Sequence, residues 1–172
     1  IKKFIELENI QKSIFLIPNL NYDLEIEKGI KSSKIKIFKK YHYDIEPTKL
    51  TQQIEKITNY AIRKQNLIDE ITRLENSDDP VKERKIENLK KRYTLGNLSF
   101  DSVVITDFDE SLKSVITSLL YSDVSPKDFH LITLNQWFDE SLLKETNLQP
   151  IYYPSINKKN LDNFKKKFLN EF

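Results

Sequence analysis

A chain of 172 residues with 28 Lys/Arg against 26 Asp/Glu and no cysteine has room for one domain with a real core. It excludes disulfide and thiolate chemistry, and a net charge of +2 lacks the field of a nucleic-acid-binding surface. Its two glycines, Gly29 and Gly96, are isolated, which rules out a glycine-rich phosphate loop; no apolar run approaches the ~18 residues of a membrane span.

Residues 1–11 read as a helix, with Phe4, Ile5 and Leu7 available for burial. Ser13 to Pro18 is a short apolar run, the pattern of a buried central strand. A helix over 22–32 follows the turn at Asn19-Leu20-Asn21. Residues 35–43 alternate Ile35, Ile37, Tyr41 and Tyr43 against lysines, a strand with one wet face near a sheet edge. Pro47-Thr48 opens the longest helical pattern, with Leu50, Ile54, Ile57, Ala61, Ile68 and Ile71 at three- and four-residue spacing. Asn76 to Pro80 breaks it, and a charged helix runs on to about Arg92. Strands are predicted at 103–106, 131–134 and 151–153. Helices are predicted at 111–121 (Leu112, Val115, Ile116, Leu119 and Leu120 inward), at 140–144 and at 161–172 (Phe164, Phe168 and Phe172 inward).

Five strands separated by helices and short loops predict a doubly wound, mostly parallel α/β sheet with right-handed crossovers and helices on both faces. Residues 1–172 form a single lobe, and 62–95 are a helical hairpin inserted into it. The hairpin reads either as an amphipathic decoration of the sheet or as a partner-docking device.

Ligand chemistry in such a lobe lies at the carboxyl ends of the strands. Those ends carry Asn19, Asn21 and Tyr22; Asp107 and Phe108; and Asn135, Gln136 and Trp137. Amides bind polar groups, an aromatic covers an apolar face, Asp107 suits an ammonium, and the helix start at Tyr22 suits a carboxylate. The same Asn and Asp residues also serve as turn and cap residues, and Trp137 also suits packing.

An enzyme reading competes at Asp107-Phe108-Asp109-Glu110-Ser111. An apolar strand ending in Asp-X-Asp resembles the first motif of haloacid-dehalogenase phosphatases. There a first Asp attacks phosphorus, a second exchanges protons, and magnesium neutralises charge. No later acidic pair follows to hold that metal, and Asp109 reads equally well as a helix N-cap. His42 and His130 lack a second ligand at zinc spacing, so no metal site and no cofactor are expected. Lys165 to Lys167 read as a solvated helix face, not a nucleic-acid contact.

Several segments resemble, in order, the second lobe of type 1 periplasmic-binding-fold proteins: Phe15 to Tyr22, Tyr41 to Ile54, Phe100 to Asp107, and Asn135 to Trp137 followed by Leu148 to Ser155. The added helices carrying Tyr60 to Arg63 and Leu67 to Leu74, with Leu148 to Pro154, look most like penicillin-binding-protein activator lipoproteins. The family has glycines after its first and fourth strands; Asn21 and Leu134-Asn135 stand there in this chain. The resemblance implies a strand order of 2-1-3-4-5 and no enzymatic activity. It implies contact with a peptidoglycan synthase or, alternatively, half of a transporter-linked solute receptor for amino acids or peptide-like ligands. It also implies a first lobe elsewhere in the parent protein, and a periplasmic location. A methionine-free chain opening on Ile1 without a signal peptide reads as a piece of that parent, with any targeting or lipid-anchor signal upstream.

Overall fold

Ser13–Pro18 are all buried, and they form β1, near the centre of a five-stranded sheet. The computed structural model describes residues 1–21, 23–134, 144–154 and 158–171. The other strands are β2 (Lys39–Tyr43), β3 (Ser102–Ile105), β4 (His130–Thr133) and β5 (Ile151–Tyr152). Their order is β2-β1-β3-β4-β5, and every neighbouring pair is parallel. The expected sheet is therefore present, and it is wholly parallel. The chain reverses direction across the sheet between β1 and β3, which makes their carboxyl ends the switch point where such sheets form crevices.

The helices are α1 (Lys2–Leu7), α2 (Asp23–Ser33), α3 (Pro47–Ile57), α4 (Tyr60–Glu75), α5 (Lys82–Lys90), α6 (Asp109–Tyr121) and α7 (Lys158–Glu171), with a 3-10 turn at Thr146–Leu148. Strand residues alternate between two faces. Ile14, Leu16, Val103, Ile105 and Leu131 pack with Leu50 and Ile54 of α3 and with Leu112, Val115, Ile116 and Leu119 of α6. Phe15, Ile17, Val104 and Ile132 face the other way, toward Ile5 of α1 and the half-buried Phe4, Ile26 and Ile30. Both faces of β1 and β3 are covered, which is why those strands read as unbroken apolar runs.

Several expectations change, beginning with Leu7, which is 78% exposed in a helix that ends there. β2 starts at Lys39, where the register with β1 begins at Ile14↔Lys39; Ile35 and Ile37 pack on the α1/α2 face ahead of the strand. The long helical pattern is two helices. Buried Thr58 bonds back to the Ile54 carbonyl at 2.8 Å, and Asn59 turns left-handed at φ 52°, a conformation that Asn tolerates better than most residues. The N-cap of α6 is Phe108, not Asp109. Phe164 and Phe168 do not point inward: they are 65% and 53% exposed. Beside β4 and β5 the aromatic contacts are made by Phe4 of α1, whose ring lies 4.6 Å from Tyr152 and 5.8 Å from His130. Phe172 and most of the expected helix at 140–144 lie outside the described residues.

The α4–α5 hairpin is fastened at its root. Arg63, 7% exposed, donates to the carbonyls of Ser122 and Asp123 at 3.2 Å and to Thr94 Oγ1 at 2.7 Å. Thr94 Oγ1 in turn donates to Asp123 Oδ2 at 2.5 Å. One side chain thus ties α4, the segment after α5 and the end of α6 together. Burial holds the Arg63 guanidinium below the usual arginine range, partly countered by Asp123.

Candidate functional site

At the switch point the end of β1 turns sharply. The Asn19 amide donates to the Tyr43 carbonyl at 2.9 Å, and Leu20 donates to Pro18 at 2.9 Å. Asn19 and Asn21 are left exposed there. Beside them the end of β3 is held by Thr106, whose amide and hydroxyl both donate to the Leu16 carbonyl, at 3.0 and 3.1 Å.

Asp107 follows, 2% exposed. Its Oδ2 accepts from the Tyr43 hydroxyl at 2.5 Å and from the Ser111 hydroxyl at 2.7 Å, and its Oδ1 from the Phe108 amide at 2.9 Å. Thr133 Oγ1, at the end of β4, donates to the Asp107 carbonyl at 3.5 Å. Asp107 therefore gathers β2, β4 and α6 around the end of β3, and its carboxylate meets its donors inside the protein. Phe108 is half-buried next to it, and Asp109 takes a left-handed conformation, φ 48°, as α6 begins.

Of the residues singled out in the sequence, Asn19, Asn21, Asp107 and Phe108 meet at this edge. Tyr22, Asn135, Gln136 and Trp137 lie outside the described residues. Tyr43 and Ser111 were not foreseen. Ser111 is one helical turn beyond Asp107, a spacing legible in principle; Tyr43 is 64 residues away and carries no local signal.

Charged pairs lie on the flanking elements. Lys113 on α6 meets Glu110 at 2.9 Å and Glu145 at 3.3 Å, and those bonds raise its pKa. On β2, Lys40 meets Glu27 of α2 at 2.5 Å and His42 stands 3.5 Å from the same carboxylate; the Lys40 hydrogen bond holds Glu27 below the usual carboxylate range. Among the described residues no three His, Asp or Glu side chains are grouped to hold a metal ion. Asp107 is poorly placed as a phosphatase nucleophile, since a line of attack on phosphorus needs an exposed oxygen.

Comparison of the chain with models of protein families, with curated proteins and with solved structures finds no significant match. Among the described residues no helix is long and apolar enough to cross a membrane.

Proposed function

We propose that the chain is a non-enzymatic binding lobe, the second of two in a type 1 periplasmic-binding-like protein. In this reading it acts outside the cytoplasm as a penicillin-binding-protein activator, regulating peptidoglycan synthesis by touching a synthase. The observation that carries it is the engagement of Asp107 by Tyr43, Ser111 and the Phe108 amide. An acid enclosed in this way braces the carboxyl edge and is withheld from a ligand's ammonium or a phosphoryl group. Contact chemistry then falls to exposed surfaces. The α4–α5 hairpin supports this reading, because Arg63 fixes its root while Ile62, Ile68, Val81 and Tyr93 are exposed on and around it.

A second reading, half of a solute receptor for amino acids or peptide-like ligands feeding a membrane transporter, is favoured by the exposed Asn19 and Asn21 at the switch point. A thermal-shift screen with amino acids, short peptides and cell-wall fragments separates the two. A ligand at 100 times its dissociation constant adds about 2.7 kcal/mol. The activator reading expects no stabilisation by amino acids or peptides; a clear shift with either class replaces it with the receptor reading.

A further inference from the structure

The two faces of the sheet are unequally filled. Among the described residues, fifteen buried apolar side chains form the core on the α3/α6 face and six form the core on the α1/α2 face. The cause is legible in α2. Its stripe at Ile26, Gly29, Ile30 and Ser33 has the i, i+3, i+4, i+7 spacing of a packed helix, yet only two of the four are large, and no residue of α2 is buried. A Cβ built on Gly29 meets no atom within 4 Å. The outcome is an apolar cavity of about 610 Å³. Phe15 of β1 and Thr106, just past β3, line it, α2 forms one wall, and Ile1, Leu134 and Pro154 line it as well. Its volume lies within the roughly 300–1,000 Å³ of small-molecule sites, which are likewise mostly apolar with a few polar groups. A smaller hollow of about 320 Å³ shares Ile1 and Pro154 with it. Two charged side chains of opposite sign, Lys2 and Glu25, and the half-buried Ile35 also line it; the two charged groups are exposed and neither forms an ion pair among the described residues.

We infer that this cavity binds a single-chain amphiphile with a zwitterionic head. The hydrocarbon chain lies against the half-buried Ile26, Ile30 and Ile35, in the open space beside the exposed Gly29. The anionic part of the head meets Lys2 and the cationic part meets Glu25. Each CH₂ group removed from water favours entry, and the two charges of opposite sign select the head. The site adjoins the carboxyl edge at Thr106 and Leu134 but uses none of the contacts that engage the Asp107 side chain.

The test is calorimetric titration of the 172-residue chain with n-dodecylphosphocholine below its critical micelle concentration, with n-dodecyl maltoside as a neutral-headed control. Saturable one-to-one binding is expected, tighter than for the maltoside. Gly29→Phe fills the space and should weaken binding about tenfold, whereas Gly29→Ala should leave it nearly unchanged. Lys2→Glu, a change at an exposed position, should weaken binding of the phosphocholine and not of the maltoside, and it keeps the test valid should Gly29→Phe fail to fold. Absence of saturable binding, binding only above the micelle threshold, equal affinity for both heads, or an unchanged affinity in folded Gly29→Phe or in Lys2→Glu would each overturn the inference.

Discussion

The hydroxyl of Tyr43, the last residue of β2, donates to Oδ2 of Asp107 just past the end of β3, at 2.5 Å. β1 lies between those two strands, so the bond passes across the end of the strand at Pro18, the residue in register with Tyr43. It links the two sides of the switch point inside a buried setting, where an unmet polar group is costly.

Tyr43→Phe should therefore destabilise the protein by about 1–3 kcal/mol, because Asp107 loses a donor and water cannot replace it. Urea unfolding checks the value. A double-mutant cycle with Asp107→Asn should return a coupling of roughly 0.5–3 kcal/mol; additivity of the two changes would show that the pair does not interact.

Arg63→Ala removes three hydrogen bonds and the 3.6 Å ion pair with Asp123, and leaves the Ser122 and Asp123 carbonyls without the guanidinium donor. Loss of about 3 kcal/mol is expected. The local readout is hydrogen exchange: amides of α4 and α5 should exchange faster while those of β1 and β3 hold. Uniform loss of protection across both regions would contradict a clamp specific to the hairpin.

Glu27 has its folded pKa lowered, first by the hydrogen bond from Lys40. The unfolded value is the ordinary one, about 4.3. A lowered folded value means that its contribution to stability is present above that ordinary value and is lost as pH falls through the folded one. Urea midpoints measured on either side of pH ~4 should show this loss, and Glu27→Gln should flatten that part of the profile. An identical profile in the variant would remove Glu27 as its cause.

Asn59 joins α3 to α4 in a left-handed conformation. Asn59→Gly should be close to neutral, and Asn59→Val should cost roughly 1–2 kcal/mol by thermal or urea unfolding. Equal stability of the Gly and Val variants would contradict that geometry.

Legibility in the sequence followed locality. β1 matched to the residue, because six consecutive buried positions at the sheet centre leave a contiguous apolar run. The break at Thr58-Asn59 was hidden, since Ile54, Ile57 and Ala61 keep helical spacing across it and the decisive features are a side-chain back-bond and one positive φ. Phe164 and Phe168 look like a core stripe, and only the arrangement in space shows that both are exposed while Phe4 of α1 is the ring on Tyr152. At the carboxyl edge, Asp107, Asn19 and Asn21 could be named from strand ends alone. That Asp107 is enclosed could not, because its partner Tyr43 arrives from a distant strand.

The most direct measurement of the central claim is an equilibrium titration of the 172-residue chain against a purified bifunctional penicillin-binding protein by biolayer interferometry. The account predicts saturable binding that the double change Ile62→Asp and Ile68→Asp, at exposed positions of α4, weakens about tenfold without lowering the melting temperature. No saturable binding to the synthase would contradict it.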